Sequence, residues 1–394
     1  MQGATKRPNP LPRWILFMVL ALAAFPLWQY LIWYLTPIRP IKLLIVDKTS
    51  LTREQPSERN TLNWVLRHGR YGPNPERLYD LRDDFWGFVP TTGTQYQLKG
   101  LEHLSRNERK QLLAHTDAAY FCDTYGVYQQ DWSPQPNLAT GELSPLLYGG
   151  LSPADLEAMQ SLYQAGKPII GEFNLVADPT SPALGEAAAK LFGFRPTGWT
   201  GRYIHQLRAT DNPDLPGWLP RLYQQQTHQP WKFEGSGLIL VHRQGRVLVF
   251  PSQQTPLVPQ LVTDTEAQQT WGIPAVTPYP FWFEIITASP DIPVISHFTL
   301  PLESPEELQT LAKANIPLQF PAVIGTLAPP HPRFYFAADF ADNPVPLRMS
   351  HFYGIWHLRF LFYNRQDPED RRQFFWEYYQ PLMHKIFDRI QKNR

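Results

Sequence analysis

Three apolar runs that each stop on an acid constrain this chain most: Lys42-Leu-Leu-Ile-Val-Asp47, Ala118-Ala-Tyr-Phe-Cys-Asp123 and Pro168-Ile-Ile-Gly-Glu172. Short apolar runs bounded by polar or Gly-bearing stops read as buried strands. Between the second and third runs, Ser152-Pro-Ala-Asp155 places an N-cap, an N1 proline and an N3 carboxylate in sequence, which starts a helix. Leu156, Met159, Leu162 and Tyr163 form its buried face, and Gly166 ends it. Strand, helix, strand in that order implies a parallel crossover. The expected fold is therefore an α/β body on a parallel sheet. Ligands of such sheets sit outside the carboxyl ends of the strands, so Asp47, Asp123 and Glu172 are expected to share one edge.

Ahead of the body, residues 1–13 are polar and carry Lys6, Arg7 and Arg13. Trp14 to Leu35 is almost unbroken apolar sequence, close to the ~20 residues that span a bilayer as a helix. Trp14, Trp33 and Tyr34 sit where interfacial belts would lie. Ala21-Leu-Ala23 offers a signal-peptidase reading, but the apolar character continues well past it. The expectation is thus one transmembrane helix over 14–36 with the lipid bilayer as its partner. The short basic tail orients the N-terminus inside, making this a single-pass protein of the cell membrane and envelope with its body extracytoplasmic.

The body is expected over 41–345, with about 204–330 elaborated by hairpins and loops, and a C-terminal strand and helix over 346–394. Ser57 caps a helix carrying Leu62, Val65 and Leu66, and a polar helix lies around Arg106–Ala114. The loop from Tyr125 to Leu151 is rich in Gly, Pro, Trp and Tyr, and a loop of that length is usually functional. Thr197 to Tyr203 reads as a Gly-hinged aromatic turn. Leu238–Val241 and Val247–Phe250 flank a hairpin, and Phe281–Ile286, Val294–Phe298, Ala322–Ile324 and Phe334–Ala338 are later strands. Pro381 should kink the last helix.

Composition excludes several functions. Lys plus Arg is 36 and Asp plus Glu is 35, a net charge of +1, so nothing favours a nucleic-acid partner. The lone Cys122 removes a disulfide framework and any cysteine metal cage. His351, His357 and His384 are too dispersed for a metal triad, so no metal centre and no cofactor is assigned. Asp47, Asp123 and Glu172 are the acids a ligand would meet, with Asp123 and Glu172 the candidates for acid/base catalysis. Tyr125, Trp199 and Arg202 are the candidate ligand contacts on loops, as stacking faces and an anion partner.

The order of Leu43–Asp47, Ala118–Asp123, the Ser152 helix and Pro168–Glu172 resembles the class I glutamine amidotransferase-like (flavodoxin-like) fold. Phe320-Pro-Ala-Val-Ile and Tyr335-Phe-Ala-Ala-Asp-Phe-Ala-Asp342 look like its late strands. Asp123-Thr-Tyr-Gly, Tyr148-Gly-Gly-Leu-Ser and Gly198-Trp-Thr-Gly-Arg-Tyr are similar to uncharacterised single-anchor bacterial membrane proteins. The resemblance implies the fold but not the reaction. That family presents its nucleophile in a Gly-flanked elbow with a later His-x-Glu pair, whereas Cys122 lies in Tyr-Phe-Cys-Asp-Thr and no His-x-Glu occurs. Asp47-Lys-Thr likewise resembles the phosphorylated motif of P-type ATPases without their Gly-Asp-rich loop. Two functions stand open on these residues: a ligand-binding or scaffold module of the envelope that recognises a glycan or protein partner, and a hydrolase of envelope carbohydrate.

Overall fold

The structure, a computed structural model, describes residues 13–52, 57–80, 82–91, 93, 95–133, 144–210, 212 and 215–392. The three acid-ended runs form strands Leu43–Asp47, Ala118–Asp123 and Ile169–Glu172. They lie side by side and parallel, Leu43 opposite Ala118 and Ala119 opposite Ile169. Arg333–Phe336 extends the parallel set beyond Glu172, and Trp86–Pro90 extends it beyond Asp47.

The expected parallel-sheet body with added hairpins is corrected at this point, because the ten-stranded sheet is itself mixed. Gln319–Thr326, Val294–Thr299, Gln260–Thr263 and Val276–Pro278 continue it antiparallel on one side, and Tyr96–Lys99 ends it antiparallel on the other. The physical reason is loop length. The links from Trp86–Pro90 to Tyr96–Lys99 and from Gln319–Thr326 to Arg333–Phe336 are too short for a crossover, so those strands must turn back. A separate four-stranded antiparallel sheet holds Val247–Pro251, Gly237–His242, Phe194–Ile204 and Phe283–Ala288. The expected turn over 197–203 is instead part of the strand Phe194–Ile204, bulged between Pro196 and Thr200.

Alternation along the central strands divides the core between two faces. Leu44, Val46, Ala119 and Phe121 point to the face covered by helices Pro153–Gln164 and Pro182–Phe192. Ile45, Ala118, Tyr120 and Cys122 point to the face covered by helices Asn60–His68 and Gln380–Lys392. Burial of every residue from Ala118 to Asp123 follows from this three-layer arrangement.

Over 346–392 the expected strand does not form among the described residues. Short helical turns at Leu347–His351, Ile355–Leu361 and Arg372–Phe374 lead instead into a π-turn, Phe375–Tyr379, and the last helix. Pro381 has no N–H, and its ring crowds the carbonyl one turn back. The widened turn just ahead of it accommodates both effects. Phe374, Phe375, Trp376, Tyr378 and Tyr379 are all buried, so this aromatic run packs on the body.

The expected membrane span is overturned. A helix does run from Arg13 to Leu35, with Pro26 inside it, but among the described residues no helix is long and apolar enough to cross a membrane. Its last turns pack against polar groups of the body. Gln29 accepts the Gly354 amide at 2.5 Å, and Trp33 Nε1 donates to the Arg67 carbonyl at 3.0 Å. The Arg70 guanidinium lies 4.7 Å over the Trp33 ring, and His351 meets it edge-on at 4.6 Å. The single-pass anchoring and the extracytoplasmic, cell-membrane placement fall with the span. The basic tail over 1–12 lies outside the described residues.

Candidate functional site

The carboxyl ends of the parallel strands place Asp47, Asp123 and Glu172 along one edge, with Asp47 opposite Asp123. Their environments differ sharply. Asp47 is fully buried and its acceptors are occupied. Oδ1 takes the Thr49 and Ser50 amides at 3.0 and 3.2 Å, and Oδ2 takes the Ser50 hydroxyl and the Arg59 guanidinium. That guanidinium also covers the Phe85 ring at 3.6 Å. The next residue, Lys48, is buried too, and donates to Asp155 Oδ2 at 2.6 Å and to the Gly150 carbonyl at 2.9 Å. Asp47-Lys-Thr is therefore a structural lock between the first strand and the Ser152 helix cap, not a phosphate acceptor.

Asp123 is 4% exposed and is aimed by three donors. Tyr125 N–H at 2.5 Å and the Thr49 hydroxyl at 2.8 Å reach Oδ1, while Asn174 Nδ2 reaches Oδ2 at 3.0 Å. Asn174 achieves this with φ 66°, a left-handed conformation that Asn tolerates. Gly126 N–H in turn donates to Thr49 at 2.8 Å, and at φ 95° a Cβ there would sit 2.3 Å from the Tyr148 carbonyl. Only glycine lets this turn close over the site. Burial pushes the Asp123 carboxyl up to about 7 against the pull of its donors.

Glu172 is 1% exposed, and burial pushes its carboxyl well above the usual range. Its Oε2 accepts the Phe340 and Ala341 amides at 3.0 and 3.2 Å, while its Oε1 is buried without a hydrogen bond. Those amides follow Asp339, a fourth acid at a strand end that the sequence reading left aside. Its signal was available: Arg333-Phe-Tyr-Phe-Ala-Ala-Asp339 repeats the pattern of an apolar run stopped by an acid. One carboxylate oxygen each from Glu58, Asp123 and Asp339 lies within 4.8 Å of the others. Among the described residues, these are the ones grouped closely enough to hold a cation. Glu58, from the turn Ser57–Arg59, carried no signal in the sequence.

The other candidate contacts lie in different surroundings. Tyr125 is 41% exposed beside Asp123, its ring tilted against Tyr128 at 5.2 Å. Trp132 packs on Phe88 at 5.0 Å, and residues 134–143 of the same loop lie outside the described residues. Trp199 and Arg202 belong to the smaller sheet. Trp199 is buried between His242 and Arg246, and the Arg202 guanidinium lies 4.7 Å over Phe281. Trp199 is packed into that sheet, whereas the Arg202 guanidinium also lies 5.7 Å over the ring of Trp282, whose carbonyl accepts the Asp339 amide at 3.1 Å. A cavity of about 610 Å³ lined by Lys42, Tyr79, Trp86 and His115 opens at the other, amino end of the strands.

Cys122 is 2% exposed, its side chain among Tyr120, Ile170 and other core residues, and burial pushes its thiol well above the usual range. A nucleophile needs the opposite environment. Cys122→Ala should cost about 1 kcal/mol in urea unfolding and leave ligand capture unchanged. The native thiol should label only as the chain unfolds. Loss of capture by a fully folded Cys122→Ala protein would restore a direct role for the thiol.

Comparison with known proteins gives little support for a closer assignment. No family model matches the chain, and no curated protein matches it. Among solved structures it is similar to two proteins described as ThuA-like. That from Bacteroides uniformis is 11% identical with a TM-score of 0.32, covering 81% of this chain and 91% of its own. That from Parabacteroides merdae is 11% identical with a TM-score of 0.34, covering 76% and 79%. Likeness at this level carries no argument about fold or activity, and the mixed α/β architecture rests on the strands described above.

Proposed function

We propose that this chain is a ligand-binding α/β module of the amidotransferase-like kind, without amidotransferase chemistry, that holds carbohydrate at the carboxyl edge of its large sheet. The observation that carries this reading is the exposed Tyr125 side chain two residues from Asp123, whose aimed carboxylate accepts the Tyr125 backbone N–H. A sugar ring stacks on an aromatic face while its hydroxyls donate to carboxylate oxygens. The burial of Cys122 and the absence of His-x-Glu argue against covalent acyl transfer.

The test measures capture and product release on a glycan panel for the parent, Asp123→Asn and Glu172→Gln. An amide keeps the shape and one acceptor, so Asp123→Asn should weaken capture by about fivefold, the worth of one hydrogen bond, with no turnover by any form. Parent turnover that falls ~10²-fold in either variant while capture survives would replace the binding module by a hydrolase working through Asp123 and Glu172. Silence toward every glycan would also overturn the carbohydrate reading.

A further inference from the structure

The acid at the end of Arg333–Phe336 poses a physical problem within the fold. Asp339 is 8% exposed, and its carboxylate has no hydrogen-bond or ion-pair partner among the described residues. Its backbone, by contrast, is fixed: the N–H donates to the Trp282 carbonyl at 3.1 Å, and the carbonyl accepts the Tyr279 hydroxyl at 2.8 Å. The chain thus holds a largely buried carboxylate without a partner among the described residues, within 4.8 Å of oxygens of Glu58 and Asp123. Buried charges are ordinarily paired or bound to a metal. Two neighbouring arginines are engaged with other acids. Arg59 pairs with Asp47, and Arg371 pairs with Asp342 at 3.3 Å while donating to its carbonyl at 2.9 Å. A further buried oxygen without a partner, Glu172 Oε1, belongs to the residue whose other oxygen is tied to the two amides following Asp339.

We infer that Glu58, Asp123 and Asp339 form a binding site for a hard divalent cation of the calcium class. All three donors are carboxylate oxygens, with no thiolate or imidazole among them, which suits Ca²⁺, Mg²⁺ or Mn²⁺ rather than Zn²⁺ or Cu²⁺. Three protein carboxylates gathered within 4.8 Å of one another suit calcium, which is caged by protein oxygens, rather than magnesium, which keeps several waters and is usually held by one or two carboxylates. Glu58 is partly exposed and Asp123 is buried, so the group opens toward solvent. Asp123 is held in place by Thr49, Tyr125 and Asn174, so two of the three ligands are positioned before binding. An ion here would sit next to Tyr125 and offer open coordination positions to sugar hydroxyls. The inference deepens the carbohydrate-binding reading of this edge and rests on it, but its test uses the ion alone.

The chelator-treated full chain is titrated calorimetrically with CaCl₂, MgCl₂ and MnCl₂ separately, and its thermal midpoint is followed with each. One Ca²⁺ per chain and a raised midpoint are expected. Asp339→Asn and the partly exposed Glu58→Gln should each weaken Ca²⁺ binding tenfold or more, while Asp178→Asn, an exposed acid away from the site, binds as the parent does. Having two variants keeps the test decisive should one fail to fold. Absence of binding by all three cations to a folded chain overturns the inference, as does parent-like binding by both folded site variants. Glycan capture that persists unchanged in chelator, with no cation bound, removes the ion and leaves the carbohydrate reading intact.

Discussion

Arg59→Met should destabilise the chain by about 3–5 kcal/mol, the range found when one member of a buried ion pair is removed. Methionine fills much of the same volume and keeps contact with Phe85, so the change isolates the charge. Asp47 would be left buried beneath the sheet edge with only the Ser50 hydroxyl and two amides to hold it. Equilibrium urea unfolding of parent, Arg59→Met, Asp47→Asn and the double variant measures the coupling directly. The double variant should recover much of the single-variant loss, because an amide does not need a counter-charge. Purely additive losses would show that Arg59 acts through packing on Phe85 rather than through Asp47.

The second large effect is acid sensitivity from His68 and His384. Their rings lie 3.2 Å apart between nitrogens, beneath the docked end of the N-terminal helix. Burial lowers His68 to about 4 against the backbone groups of Tyr353 and Phe352. Burial, then His68 itself, lowers His384 to about 3, with Asp388 opposing and Arg39 assisting. Both rings are therefore neutral in the folded chain at pH 6, whereas in the unfolded chain they begin to take protons near 6.5. The unfolded state binds more protons below that point, so stability is complete above about pH 6.5 and is lost as pH falls towards 4. For His68 alone the loss is on the order of 3 kcal/mol. Replacing it by an apolar residue should flatten the stability profile between pH 6.5 and 4. An unchanged acid slope in His68→Phe and His384→Phe would assign the loss to other groups.

The central strands were legible because a strand buried on both faces must be apolar throughout, and Ala118 to Cys122 and Leu43 to Val46 are. The helix start at Ser152 was legible because its cap chemistry is local, Ser152 and Asp155 forming a capping box, whereas the helix expected from a Ser57 cap begins at Asn60 with no side-chain cap. The antiparallel half of the sheet was less so. Gln260–Thr263 and Val276–Pro278 are short, half-buried strands whose pairing depends on distant partners. The same limit explains the site. Strand-end acids announced one edge, but nothing local distinguishes Asp47, whose needs are met inside the chain, from Asp339, whose needs are not. Trp199 and Arg202 looked like loop contacts because the Gly-flanked turn hid a bulged strand. The N-terminal helix misled through composition alone, since hydropathy does not reveal that Gln29 and Trp33 would meet partners on the body.

The distance in sequence between Glu58 and Asp339 has a consequence for biosynthesis. Strand Arg333–Phe336 can join the parallel set only after the residues before it have emerged, and helix Gln380–Lys392 then covers the face carrying Ile45 and Tyr120. Arg39 meets Asp388 at 2.7 Å, and the Asn60 side chain donates to the Asn343 carbonyl at 2.7 Å, so the beginning of the body is closed by its end. An N-terminal fragment stopping before residue 339 lacks both an acid of the edge and the seal over the core. Occupancy of that edge would thus favour chains that extend past residue 339 over those that stop before it, and the occupant would raise their resistance to unfolding in proportion to the logarithm of its concentration.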